Sequence, residues 1–195
     1  MKENDVPDWY IWSCKQIKYM FPKAHAVAYV MMSYRLAYCK VHYPEAFYAT
    51  YFTTKAEDFD ANLIVKGIDK IKERIDYIES LGNSATAKEK NTLTVLEVAL
   101  EMYARKIKIL PVDIYKSDAK KFKVVGEKTL LPPMIALEGM GENASINVQI
   151  EREKGEFISK EDLRKRTKVS KTVIQILTEH GALDNMSDEN QLSLF

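Results

Sequence analysis

Phe21–Pro44 reads FPKAHAVAYVMMSYRLAYCKVHYP, and the fold turns on it. A turn-like Phe-Pro-Lys opens the stretch. Apolar residues then follow almost without a break, until Pro44 must end or redirect a helix. Its polar residues are few: Lys23, His25, Ser33, Tyr34, Arg35, Lys40 and His42. A helix this apolar, covering roughly residues 24–42, is expected to be buried on most sides. The rest of the chain is therefore expected to supply its cover.

Upstream, residues 1–7 are polar and expected to fray. Pro7-Asp8 opens a helix that interleaves Trp9, Trp12, Ile17 and Met20 with polar residues, and Phe21-Pro22 breaks it. Downstream, Pro44 suits the first turn of a helix, where no N–H is needed. That helix, PEAFYATYFTT, shows an aromatic face of Phe47, Tyr48, Tyr51 and Phe52. Thr53–Asn62 is polar and acidic, and reads as a connection. Leu63, Ile64, Ile68, Ile71, Ile75, Ile78 and Leu81 recur at helical spacing. They predict one amphipathic helix over 63–81, stopped by Gly82-Asn83. A further helix over 85–105 presents Leu93, Leu96, Ala99, Leu100 and Tyr103.

The texture changes at Lys106. IKILPVDIY, KKFKVV and KTLLPP run β-branched or alternating, which predicts two or three short strands. From Pro132 the pattern is helical again. A short helix leads to a turn at Gly139-Met140-Gly141, and a helix from Glu142 to about Lys154 stops at Gly155. Ser159 then caps a second unit, with Asp162 three residues on. The last helix starts at Ser170 and ends at Gly181. After Asp184 the chain has no period and is expected not to pack. The fold class is mainly α with a small β element (α+β).

The totals exclude several function classes. Formal net charge is +1 over 195 residues, so a nucleic-acid face must be local. Cys14 and Cys39 are too few for a disulfide framework and suggest a reducing cytosol. The longest apolar run, Ala26–Tyr38, contains Arg35 and is too short to span a bilayer. The first ten residues, MKENDVPDWY, have no apolar signal core. His25, His42 and His180 lie far apart with no ligand spacing, which predicts no structural zinc.

Two stretches carry chemistry on their own terms. The first is helix, Gly139-Met140-Gly141, Asn143-Ala144, helix: a helix-hairpin-helix pattern. Glycines let a backbone turn tightly and approach a phosphate, and the next helix aims its N–H groups at that anion. Contact with phosphate alone is independent of base sequence. A similar unit follows, with hairpin Lys168-Val169-Ser170-Lys171 and no glycine. Arg164, Lys165, Arg166, Lys168 and Lys171 make it the basic half. The second stretch is the end of the chain, Gln191-Leu-Ser-Leu194-Phe195 behind an acidic lead, which resembles a sliding-clamp binding peptide. Gln191 would hydrogen-bond in a polar subsite while Leu194 and Phe195 fill an apolar one.

FPKAHAVAY, KVHYP, KEKNTLTVLEVALEM, LPPMIALEGMGEN, GEFISKEDLRKRTKVSKT and DENQLSLF resemble the C-terminal end of PolC-type DNA polymerase III alpha subunits, of the C family of bacterial replicative polymerases. The resemblance runs from about Pro7 to Phe195. It implies distal fingers over 1–105, a short-strand link over 106–131, tandem helix-hairpin-helix over 132–184, and a disordered clamp-binding tail over 185–195. It places Phe21, Lys23, His25 and Tyr29 beside the incoming deoxynucleotide triphosphate, where the residues alone suggest a core helix. Arg35 is either a further phosphate contact or half of a buried ion pair. Duplex DNA would meet Gly139, Met140, Gly141, Asn143, Arg164, Arg166, Lys168, Ser170 and Lys171. The palm that would hold catalytic Mg2+ is not in the sequence. Asp58 and Asp60 form a D-x-D in a polar connection and are expected only to be solvated there. The implied partners are duplex DNA, the sliding clamp and the remaining polymerase domains, in the cytoplasm and not at a membrane. The implied reaction is template-directed nucleotidyl transfer, which this piece alone would not perform. The competing reading is a stand-alone, non-enzymatic helix-hairpin-helix adaptor that recruits a clamp.

Overall fold

A computed structural model describes residues 1–17 and 22–189. Packing divides the chain into two compact units, Met1–His42 and Tyr43–Phe195. The divide falls inside the helical region that the sequence reading treats as continuous to residue 105.

In the first unit, a 3-10 turn at Lys2–Asn4 precedes α1 (Asp8–Gln16), and α2 follows (Lys23–His42). Ile11 is the buried residue of α1, and α2 has none. Val30 is 67% exposed and Tyr34 73%. The expectation of a helix buried on most sides is therefore corrected. A helix apolar all round needs cover all round, and the short α1, with its own Trp9 and Trp12 exposed, does not provide it within this unit.

The second unit begins as the sequence dictates. Pro44 is the first residue of α3 (Pro44–Thr54), where its missing N–H costs nothing. Tyr48 and Phe52 are fully buried on its inner face. The expected single helix over 63–81 is two: α4 (Ala61–Ile64) and α5 (Ile68–Leu81). Gly67 separates them at φ 95, a left-handed conformation that no helix accommodates. Asp60 caps α4, its carboxylate accepting from the Leu63 N–H at 3.0 Å. Next comes α6 (Ala87–Ala104), opened by a reciprocal Thr86–Glu89 capping box. Its buried face is Val95, Leu96, Ala99 and Met102, turned slightly from the face expected.

Three short strands then form one sheet: β1 (Lys108–Ile109), β2 (Lys123–Gly126) and β3 (Thr129–Leu131), in the order β1-β3-β2. β1 runs parallel to β3, pairing Ile109 with Leu130, and β2 runs antiparallel to it, pairing Val124 with Leu130. β2 and β3 are packed onto α3. Phe122 sits 5.6 Å from Phe52 and 4.8 Å from Phe59, ring centre to ring centre, and its N–H donates to Thr53 Oγ1 at 2.9 Å.

The last third is α7 (Glu142–Glu153), α8 (Lys160–Thr167) and α9 (Lys171–Glu179). The helix expected before Gly139 is only a 3-10 turn, Met134–Ala136. Pro133 limits it on one side, and Leu137 turns extended on the other.

Candidate nucleic-acid interface

The first hairpin is built by two glycines with different tasks. Gly139 has φ 89, and a Cβ there would stand 2.7 Å from Ile176 Cδ1 of α9. It is the positive φ that calls for glycine here, since Ile176 Cδ1 is the end of a flexible side chain and can shift. Gly141 has ordinary backbone angles as the N-cap of α7, and open space where a Cβ would be. No side chain caps α7. A helix leaves its first N–H groups without partners, so those of Glu142, Asn143 and Ala144 face outward with a macrodipole that favours an anion. Met140 is anchored in the core, 3% exposed. Its side chain holds the hairpin and does not reach a ligand; only its backbone lies at the turn. Asn143 is exposed beside it.

The second hairpin solves the same problem without glycine. Lys168 adopts the left-handed conformation itself, at φ 57. Val169 is buried, and Ser170 caps α9 by accepting from the Val173 N–H at 3.2 Å. Arg164, Lys168 and Lys171 are exposed around this turn. Lys165 is paired with Glu161 at 2.7 Å.

Arg166 does not join them. Its guanidinium donates to the carbonyls of Glu151, Gly155 and Glu156, pairs with Asp162 at 3.4 Å, and lies 4.5 Å above the Phe157 ring. All of these are fold contacts: the carbonyls of Glu151, Gly155 and Glu156 lie at and just beyond the C-terminal end of α7, where a cation satisfies orphan carbonyls, and Asp162 is one turn away on α8. The expected phosphate contact is thus a structural clamp. Nothing in the local spacing marks Arg166 out, since Phe157 and the carbonyls it meets are brought to it by the fold.

The segment after Asp184 also differs from expectation. Ser187 and Asp188 carbonyls accept from the Lys160 and Glu161 N–H groups at 2.9 and 3.1 Å, and Ser159 accepts from Asp162 N–H at 3.1 Å. These are the first-turn donors of α8. The chain packs on the fold through Asp188 because those donors need acceptors. They are consumed, unlike those of α7.

His180 ties this module inward. Nε2 accepts from the Val112 N–H at 2.8 Å, and Nδ1 stands 2.6 Å from Asn62 Oδ1. The geometry requires the neutral ring with its proton on Nδ1. Burial pushes its pKa down, opposed by Asp60.

In the first unit, Lys23 begins α2, and the rings of His25 and Tyr29 meet edge to face at 4.6 Å. Lys23 lies two residues from His25, about 200° around the helix, so the three do not converge on one face. Arg35 is exposed, which removes the buried-ion-pair alternative. Phe21 and the tail residues Gln191, Leu194 and Phe195 lie outside the described residues. No helix among the described residues is long and apolar enough to cross a membrane.

Residues 106–192 match a family model described as a helix-hairpin-helix motif, which agrees with the hairpins built here and supports DNA binding as the class of activity. Over all 195 residues the chain is 60% identical to PolC-type DNA polymerase III of Caldanaerobacter subterraneus subsp. tengcongensis, 59% to that of Clostridium perfringens and 53% to that of Bacillus subtilis. The similarity is to one segment of each: the chain spans 13–14% of the length of the curated relatives it matches.

Proposed function

We propose that this chain is the DNA-gripping portion of a replicative DNA polymerase. The observation that carries the reading is the uncapped, unobstructed N-terminus of α7 behind Gly141, in a chain whose relatives are PolC-type polymerases from end to end. The hairpins would hold duplex phosphates through the backbone of Gly139–Gly141, through Asn143, and through Arg164, Lys168, Ser170 and Lys171. Binding of this kind ignores base sequence and weakens steeply with salt.

Gly141→Val is the decisive test, because its Cβ meets nothing in the fold. Duplex affinity should fall about tenfold or more for every sequence, as one cradle of charge-assisted hydrogen bonds is covered, while the melting temperature falls by no more than about 2–4 °C, the effect of a poorer N-cap residue. Unchanged affinity, or binding indifferent to salt, would overturn the reading.

The complete polymerase would supply the rest. Its reaction would be attack of a primer 3′-hydroxyl on the α-phosphate of a deoxynucleotide. Phe21, Lys23, His25 and Tyr29 would lie near that nucleotide, a role measured by the nucleotide KM of a polymerase carrying Lys23→Ala. Mg2+ would be held outside this chain. Asp60 is already committed to capping α4, and Asp58 sits 4.0 Å from Lys55, so the D-x-D does not fit a metal pair. The chain alone should extend no primer, in keeping with work in the cytoplasm as one part of a larger enzyme.

Gln191, Leu194 and Phe195 would engage a sliding clamp. Deleting Gln191–Phe195 should abolish clamp binding and leave duplex affinity unchanged, as read by pull-down and anisotropy on the same preparation. Equal clamp binding by the truncated chain would exclude the tail.

A further inference from the structure

Two carboxylates bracket the first hairpin: Glu138 immediately before Gly139, and Glu142 immediately after Gly141. Both line the shallow depression at this turn, together with Glu57. An acid beside a phosphate-binding turn opposes its function, since like charges at short range repel. Each is met by a lysine from a distant part of the chain. Lys88, in the first turn of α6, reaches Glu138 at 2.5 Å, and Lys120, between β1 and β2, reaches Glu142 at 2.5 Å. These pairs span 50 and 22 residues; the other long-range pairs, Lys160–Asp188 and Arg166–Glu151, hold chain segments to α8 and α7, and Lys55–Asp58, Lys70–Glu73, Lys154–Glu151 and Lys165–Glu161 are local to one turn. All four partners are about half-exposed or more exposed, so the pairs add little to stability. Their placement calls for another explanation.

We propose that Lys88 and Lys120 are charge guards of the DNA-binding hairpin: by holding Glu138 and Glu142 aside in ion pairs, they keep both carboxylates from repelling the backbone phosphate that the turn receives. The proposal rests on the duplex-binding reading above. Glu142 is the more consequential acid. It is the first residue of α7, and a first-turn carboxylate is drawn towards the same N–H groups and dipole that the phosphate would use. Lys120 pulls it sideways. The guards act through the acids and are positioning residues for the bound phosphate.

A charge cycle on the full chain tests this, with a short fluorescent duplex as probe at fixed low salt. Lys120→Gln should weaken binding about three- to tenfold, the effect of one unscreened charge several ångströms from a phosphate. Glu142→Gln should bind as well as the parent or better. The double variant should return to within about twofold of the parent, since removing the acid removes the need for its guard. Lys88→Gln and Glu138→Gln should repeat the pattern with a smaller amplitude. If Lys120→Gln changes nothing, the proposal fails. If its loss persists undiminished in the double variant, Lys120 touches phosphate itself and the guard role is overturned. Gly141→Val in the same assay separates the two claims: a loss there beside a silent Lys120→Gln keeps the hairpin and rejects the guards, whereas a silent Gly141→Val rejects the hairpin reading first.

Discussion

The two hairpins make the same turn with opposite materials. The first uses glycine at the left-handed position, leaves the next helix uncapped, and is flanked by acids in ion pairs. The second puts Lys168 in the left-handed position, caps its helix with Ser170, and is flanked by exposed cations. The first offers a phosphate bare backbone and a helix dipole; the second offers side-chain charge. Backbone binding demands one geometry, while long cationic side chains tolerate many. The first hairpin should therefore be sensitive to shape, and the second to salt.

The contrast breaks most sharply at Gly139. Gly139→Val forces a β-branched residue to φ 89 and drives its Cβ into Ile176. The backbone strain and the overpacking together should cost about 2–4 kcal/mol. For a chain of this size that is roughly 5–15 °C in melting temperature. Thermal denaturation followed by circular dichroism reads it. A melting temperature within a degree or two of the parent would mean that Gly139 is not fixing the turn.

Lys168→Gly sharpens the comparison from the other side. Relieving the left-handed lysine should stabilise the fold by about 0.5–1 kcal/mol, after allowing for the freer unfolded chain. The same change removes a cation. Duplex affinity should drop, and the slope of log K against log salt should shrink by about 0.9 if Lys168 neutralises one phosphate. Stability and binding thus move in opposite directions. Were binding to rise with stability, the lysine would be serving the fold alone.

The glycine hairpin was legible in the sequence because glycine at a turn has few alternatives. Ser159 and Ser170 were legible as caps for the same reason: each sits just before a helical period and has a short oxygen to offer. The lysine hairpin was visible as charge but not as geometry, since nothing in Lys168 announces a positive φ. Gly67 lay within a continuous run of isoleucine spacing that outweighed it, and the helix broke there all the same. Arg166 looked like its basic neighbours, and only the three-dimensional arrival of Phe157 and the α7 carbonyls distinguishes it. The apolar pattern of α2 identifies a helix but not its burial. Hydrophobic pattern states a demand for cover, and cannot say which residues meet it. The guard lysines were out of reach because an ion pair across 50 residues leaves no local spacing.

The smallest effect concerns how the second hairpin is held to the rest of its unit. His180 follows α9 directly and accepts the Val112 N–H at 2.8 Å while facing Asn62 at 2.6 Å. Burial lowers its pKa from the ordinary 6.5, so the folded state prefers the neutral ring more than the unfolded state does. The sign follows by linkage. This contribution is complete above about pH 6.5, and it is lost as pH falls below that value towards the depressed folded pKa. A protonated ring would set an N–H against the Val112 N–H, leaving a donor without its acceptor. Glu89 and Glu151 have lowered pKa values, held down by the Thr86 N–H and by Lys154 respectively. Their contributions, like that of Asp118, whose pKa is lowered, against the effect of burial, by the Lys120 and Lys121 N–H groups, are complete above the ordinary carboxylate pKa and are lost as pH falls from there through the lowered values, so the interval from pH 7 to pH 5 reads chiefly the histidine. Across it the melting temperature should fall by a few degrees, and amide exchange at Val112 should quicken while the first hairpin is unaffected. His180→Gln keeps an acceptor for Val112 and a donor for Asn62 without a titrating ring, and should flatten the dependence. A slope that survives His180→Gln would place the titrating group elsewhere and leave the second hairpin anchored by packing alone.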